Sequence, residues 1–204
     1  MIHLIPIDKL SNYHNILPIQ YNNYLCWLDD ESENFRYHYI ATMNVDIRPK
    51  EQWNEKGREI YDRDRLHQHA EYINHIIHEL ELYDFVIQHE YSPSIWFPTP
   101  IIAGKPIDDK IQFVQSINTD NIDINSFSGG FKLEGEPYTF LKTFVDYPFL
   151  LRYKNIDIFS TQVDLVVKIG HHLSIDFVTL NKTFMSRIIS LCKRMNLRCT
   201  GLEI

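Results

Sequence analysis

The chain has few of the residues on which many enzyme sites depend. Seven glycines occur in 204 residues, and no Walker loop, Rossmann glycine pattern or G-x-S-x-G elbow is present. We therefore do not expect close approach of the backbone to a nucleotide. The three cysteines, Cys26, Cys192 and Cys199, include no C-x-x-C pair, so neither a zinc knuckle nor a redox motif is predicted. Cys192 is interpreted as part of the packed face of a helix.

Long apolar runs and an excess of positive charge are also missing. No run approaches the roughly 20 apolar residues of a membrane span, and no basic segment precedes the short apolar run at the N-terminus. The 27 acidic and 20 basic residues leave a net charge of −7. Such a charge repels phosphate backbones, so it disfavours nucleic-acid binding and favours a basic protein partner; plain solubility is the alternative reason for it. We predict a cytoplasmic protein that has no membrane segment.

What the chain does contain is enough apolar surface for a core. Hydrophobic residues make up 44% of the sequence and charged residues 23%, which is not the composition of a disordered chain. The length predicts one domain over residues 1–204, with two lobes on either side of about residue 100 as the alternative.

Residues 52–82 show one helical period and predict a long central helix. Gly57 is a weak point, and the alternative is a helix that begins there or consists of two pieces, with Asp62 and Asp64 at the start of the second piece. Apolar residues recur at steps of three and four: Leu66, Ala70, Ile73, Ile77 and Leu80. The opposite face carries His67, Glu71, His75 and His78, with Glu79 beside them.

The last fifty residues predict a β-β-α-β unit. Residues 163–169 and 173–178 alternate in polarity like two antiparallel strands, and an amphipathic helix and a final strand at 197–204 follow. Asn181 suits the N-cap of this helix and Asn196 its left-handed C′ position. Pro6 confines a strand at residues 2–7 to a sheet edge, and Gly129-Gly130 indicates a bend or a hairpin turn. The predicted class is α+β, with a mostly antiparallel sheet, a long central helix and the C-terminal unit packed on one face.

The long helix is the first candidate for chemistry. His67, Glu71 and His75 lie four residues apart on one face, which is a spacing that can hold one metal ion. With His172 as a further ligand, they would make a metal-dependent hydrolase. The HExxH motif is absent, however, and the alternative is a polar face in contact with solvent or a partner. We predict no cofactor.

A second candidate is a two-histidine phosphoesterase. His172 and Ser174 form one H-x-S pattern, which places both side chains on one face of a strand. The second pattern would come from His89, but Tyr91 stands where serine or threonine is required. The alternative is a polar outward face at a turn.

A nuclease-like set is a third candidate. It would consist of Asp157, Asp164 and Lys168. Its last acid and lysine are four residues apart instead of two, so this set departs from the D/E-x-K pattern.

Without a coherent catalytic set, a binding protein is the favoured interpretation, and an enzyme is not. The most concrete version is a bacterial immunity protein or antitoxin that neutralises a basic toxin. Its expected contact residues are Glu71, His75, His78 and Glu79, together with Trp53 and Trp96 as surface anchors; Trp27 is a third tryptophan of this kind.

Overall fold

A computed structural model describes residues 2–22, 24, 39–44, 63–89, 96, 127–135, 155–169 and 174–203. The strands in these ranges are β1 (Ile2–Ile5), β2 (Tyr39–Asn44), β3 (Phe85–His89), β4 (Gly130–Leu133), β5 (Ile156–Ser160), β6 (Val166–Ile169), β7 (Ser174–Thr179) and β8 (Arg198–Glu203). The helices are a 3-10 turn (Ile7–Lys9), α1 (Leu10–His14), α2 (Arg63–Glu79) and α3 (Lys182–Arg194).

The eight described strands form one sheet in the order β1-β4-β3-β5-β6-β7-β2-β8. Every pairing among them is antiparallel. The protein therefore belongs to the α+β class, as the sequence predicts. β1 lies at one end of the order, in agreement with the edge position expected from Pro6.

The two faces of the sheet contact different parts of the chain. Since side chains alternate along a strand, Phe85 and Ile87 lie on one face and Val86 on the other. The first face packs against α2 and α3 through the larger core cluster, and we call it the helical face. The second face packs against residues of the N-terminal segment, namely Leu10, Leu17, Ile19, Tyr21 and Tyr24, and we call it the N-terminal face.

Helix α2 follows the predicted apolar period. Ile73, Ile76, Ile77 and Leu80 are all buried against the helical face. The helix ends in a Schellman motif, because the N–H of Leu82 binds the Ile77 carbonyl and Glu81 takes a φ of 57°. Residues 52–62 of the predicted helix lie outside the described residues.

The C-terminal unit has the predicted order of strand, strand, helix and strand. Asn181 is the N-cap of α3, and its Oδ1 accepts a hydrogen bond from the Phe184 N–H at 3.0 Å. Asn196 has a φ of 58° and ends the helix in a second Schellman motif. Both cap predictions are confirmed.

The Gly-Gly pair allows two strands to approach closely. A Cβ on Gly129 would lie 1.8 Å from the carbonyl oxygen of Ile5 in β1, and one on Gly130 would lie 2.9 Å from that of Ile87 in β3. Gly129 is a bend that leads into β4, whose partners β1 and β3 are distant in sequence. The hairpin alternative is therefore wrong.

Several predicted features fall outside the described residues, among them the side chain of Trp53, the side chain of Trp27 and the residues Tyr91 and His172. The same is true of the side chains of residues 63–70, although their backbone lies in α2. Within the described ranges, no helix is long and apolar enough to cross a membrane. The choice between one domain and two lobes stays a prediction.

Candidate binding surface

The outward face of α2 is exposed as the helical period requires. Glu71, His75 and His78 are exposed, while the stripe on the opposite side is buried. A helix fixed to the sheet along one face holds the other face in a defined geometry. We call Glu71, His75, His78 and Glu79 the α2 surface.

Glu79 connects this surface to α3. Its carboxylate accepts a hydrogen bond from the Arg194 guanidinium at 3.2 Å, and its backbone carbonyl accepts one from Arg187 at 3.1 Å. The second contact places a cation at the carboxyl end of α2, where the helix dipole favours positive charge. Glu79 is therefore already bound within the molecule, through its contacts with α3.

A groove of about 320 Å³ lies along this helix contact. The volume is at the lower limit of small-molecule sites, which are lined mainly by apolar side chains. Here the lining is mostly charged and hydroxyl-bearing: Glu79, Thr183, Ser186, Arg187, Ser190, Leu191 and Arg194. We assign the groove to the contact between the helices.

The two neighbouring helices differ in charge. Residues 71–83 contain three glutamates and no lysine or arginine, whereas α3 contains four basic residues and no acidic one. The described residues as a whole contain 11 acidic and 10 basic side chains, against 27 and 20 in the full sequence. Most of the acidic excess therefore lies in segments outside the described residues, and the α2 surface is a local acidic region.

Trp96 does not lie on the surface, so its prediction as an interface anchor is wrong. Its side chain is 0% exposed, its ring meets that of Phe131 edge-on at 4.6 Å, and its indole N–H donates to the Gly129 carbonyl at 2.9 Å. A large aromatic ring gains more from burial in the core than from contact with water. Among the described residues, Tyr83 is an exposed aromatic side chain, at 37% exposure, four residues after Glu79 in the sequence.

The metal hypothesis receives no support from the described side chains. Glu71 and His75 are exposed, and no group of three or more potential ligands occurs among the described residues. His67 belongs to α2, but its side chain is outside the described part, as is His172. The contribution of these two residues stays a prediction.

His89 and Ser174 are not brought together, which contradicts the arrangement that a two-histidine site needs. His89 is in β3 and Ser174 in β7, and two strands, β5 and β6, separate them. At about 4.8 Å per strand, their backbones are about 14 Å apart across the sheet. His89 is also buried, at 3% exposure, with its ring 4.3 Å from that of Trp96.

The nuclease-like set is only partly assembled. Asp157 and Lys168 are direct cross-strand partners, and Asp176 is the next partner of Lys168. Asp164 instead lies before β6, where its carboxylate accepts a hydrogen bond from the backbone N–H of Leu180. The acidic residue that lies in one cross-strand row with Asp157 and Lys168 is therefore Asp176, and Asp164 lies outside that row.

A buried polar network on the N-terminal face was not predicted. The Gln88 side chain joins two residues of the N-terminal segment: its Oε1 is 2.7 Å from His14 Nε2, and its Nε2 donates to the Tyr21 hydroxyl at 2.5 Å. The rings of His14 and Tyr21 stack at 3.5 Å. Next to them, the Tyr24 hydroxyl donates to Asp157 at 2.7 Å. The network attaches the N-terminal segment to the sheet.

Burial sets the protonation states in this network. Burial lowers the pKa of His14, against the opposing effect of its hydrogen bond to Gln88. Burial also raises the pKa of Tyr21 to about 12, and the nearby Asp157 carboxylate adds to this increase. Both rings are therefore neutral at pH 7. The signal in the sequence is the amide of Gln88 directly after the three apolar residues that begin the strand.

Comparison with protein-family models, with characterised proteins and with solved structures finds no match to this chain. The fold defines it as an α+β protein.

Proposed function

We propose that this chain is a binding protein that inhibits a basic protein partner through the α2 surface. The most concrete form of this function is an immunity protein or antitoxin in a bacterial cytoplasm. The observation that carries the proposal is the exposed row of Glu71, His75 and His78 on a helix whose opposite face is buried.

The geometry favours recognition because α2 is already ordered. A helix packed on a sheet loses little conformational freedom when a partner binds, so less of the contact energy is offset by ordering. Glutamate and histidine side chains supply directional hydrogen bonds, and Tyr83 supplies exposed aromatic area of the kind found at interface hot spots. The local excess of glutamate over lysine and arginine favours a basic partner.

The proposal also includes a longer α2, as the sequence predicts. We propose that α2 begins before Arg63, in the segment that starts at residue 52. Residues 52–62 contain glutamate, glutamine, lysine and arginine, which favour helix. An extended helix would continue the surface toward Trp53.

A photo-crosslinking experiment tests the surface. A photoreactive residue is placed at His75 or, as a control, at Ser11, which is exposed on α1 beside the other face of the sheet. Both proteins are co-expressed with the products of the neighbouring genes. We expect one basic product to crosslink from position 75 and not from position 11. Equal crosslinking from both positions, or none, would contradict the proposal.

Charge reversal provides a matched test of affinity. Glu71→Lys and Asp8→Lys change the net charge equally, and both residues are exposed, but only Glu71 lies on the α2 surface. We expect Glu71→Lys to weaken binding on the order of tenfold and Asp8→Lys to change it little. The measurement is the Kd for the captured partner. If both variants weaken binding equally, only net charge matters, and the α2 surface is not the site.

A further inference from the structure

The end of α3 brings two cysteines together that are seven residues apart in the sequence. Cys192 lies in the last turn of α3, and its carbonyl accepts the hydrogen bond from the Leu197 N–H at 2.9 Å that closes the Schellman motif. The left-handed conformation of Asn196 reverses the chain there. Strand β8 therefore begins directly beside the helix that precedes it.

Strand alternation then directs Cys199 toward Cys192. Cys199 in β8 is paired with Met43 of β2, and Met43 is paired with Ile175 of β7, so Cys199 and Ile175 lie on the same face of the sheet. That face is the helical face, because Ile175 belongs to the core cluster that contains Cys192 and Cys199 packs against that cluster. Cys192 and Cys199 therefore belong to the same packed region between α3 and β8. Both residues are free cysteines in this structure.

The environments of the two thiols differ. Cys192 is fully buried, whereas Cys199 is only partly buried. The hydrogen bond from Cys192 lowers the pKa of Cys199, and the positive charge of Lys193 contributes in the same direction against the effect of burial. Donation of that hydrogen bond, together with burial, raises the pKa of Cys192. The more accessible thiol is thus also the one that ionises first, and these two properties mark a peroxide-reactive cysteine.

We propose that Cys192 and Cys199 form a reversible disulfide when the protein meets a hydroperoxide, with Cys199 as the attacking thiolate and Cys192 as the resolving thiol. In the first step, the Cys199 thiolate attacks one peroxide oxygen. The O–O bond breaks, the other oxygen leaves as hydroxide from hydrogen peroxide or as alkoxide from an organic hydroperoxide, and Cys199 is oxidised to a sulfenic acid.

In the second step, the Cys192 sulfur attacks the sulfenic sulfur. The S–S bond forms, the S–O bond breaks, and the departing hydroxide and the Cys192 proton leave as water. One molecule of hydroperoxide is reduced for each disulfide, and a dithiol reductant restores both thiols. This proposal rests only on the contacts at the end of α3, so it is independent of the partner proposed for α2.

Peptide mapping of the full-length protein tests the proposal. Trypsin cleaves after Arg187, Lys193 and Arg198, so Cys192 and Cys199 fall in the separate peptides 188–193 and 199–204. After treatment with hydrogen peroxide and blocking of the remaining thiols, we expect these two peptides to be joined. The joined species should disappear after reduction with dithiothreitol.

Two results of the mapping would overturn the disulfide. One is over-oxidation of Cys199 while Cys192 remains a free thiol that can be alkylated after unfolding. The other is a disulfide from either residue to Cys26, the third cysteine of the chain.

Two variants test the assigned roles. In Cys192→Ser the sulfenic acid has no resolving thiol, so dimedone, a reagent specific for sulfenic acids, should label Cys199. In Cys199→Ser the buried Cys192 should remain unlabelled. Labelling of Cys192 in the second variant without labelling of Cys199 in the first would overturn the assignment of roles. If a variant fails to fold, the mapping of the unaltered protein still decides whether the disulfide forms.

Discussion

The amide side chain of Gln88 joins the N-terminal segment to the sheet through two different atoms. Its oxygen binds the ring of His14 and its nitrogen binds the hydroxyl of Tyr21. The side chains of Gln88, His14 and Tyr21 are all at least partly buried. If one of them is removed, a remaining polar group loses its hydrogen bond and is not fully exposed to water, which costs free energy. A single side chain thus couples residues that are more than sixty positions apart in the chain.

The protonation of His14 is expected to make stability depend on pH. The folded protein holds His14 neutral because burial lowers its pKa below the value of 6.5 that it has in the unfolded chain. The contribution of neutral His14 to the free energy of unfolding is fully present above pH 6.5. It is lost as the pH falls from 6.5 through the lower pKa of the folded state, since the unfolded chain binds the proton first.

Chemical unfolding between pH 8 and pH 5 measures this effect, with wild type compared to His14→Gln. Glutamine has no ring to protonate, so we expect the free energy of unfolding of the variant to fall less steeply below pH 6.5. Parallel curves for the two proteins would show that His14 does not contribute to the acid sensitivity.

At the scale of secondary structure, the two long helices end in the same way. Each has a Schellman motif with a residue other than glycine in the left-handed C′ position: Glu81 after α2 and Asn196 after α3. Asparagine adopts this conformation with a smaller penalty than glutamate, whose Cβ crowds the following carbonyl. The end of α2 is therefore the more strained of the two.

Glycine at these positions should relieve the strain to different degrees. We expect Glu81→Gly to raise the free energy of unfolding by about 1 kcal/mol, and Asn196→Gly to change it by only a few tenths of a kcal/mol. Urea unfolding of both variants and the wild type gives the comparison. A loss of stability in Glu81→Gly would mean that the Glu81 side chain contributes more than its backbone conformation costs.

The elements that the sequence predicted well are those whose signals are local. Asn181 and Asn196 cap α3 as predicted, because a cap depends on the few residues around it. The described part of the apolar stripe of α2, which is Ile73, Ile77 and Leu80, is buried as predicted, since the helical period puts those residues on one side. Strand β5 at Ile156–Ser160 was not recognised as a separate element, since all five of its residues are buried and its polarity pattern lacks a solvent face.

At the scale of the whole molecule, charge is unevenly distributed along the chain. The acidic excess lies mainly in segments other than the described ones, while α3 is basic and the end of α2 is acidic. A partner that meets the α2 surface therefore experiences a local acidic field next to a basic helix. Such an arrangement favours one orientation of a charged partner over others.

The proposed complex should consequently depend on salt. We expect the association rate with the basic partner to fall several-fold between low and physiological ionic strength, because exposed charges are screened over about 8–10 Å. Stopped-flow or surface-based kinetics at several salt concentrations measure this rate for wild type and for Glu71→Gln. The variant should show a weaker dependence on salt. An association rate that does not change with salt would argue against electrostatic recognition by this surface.

The sequence by itself determined the α+β class, the apolar stripe of α2, the caps of α3 and the edge position of β1, because each follows from residues close together in the chain. Only the tertiary structure decided which distant residues meet. It buried Trp96, separated His89 from Ser174, attached His14 and Tyr21 to Gln88, and placed Cys199 against the core cluster that contains Cys192. The physical reason is that strand order and the side of the sheet that each segment covers result from packing of the whole core, and local periodicity does not encode that packing.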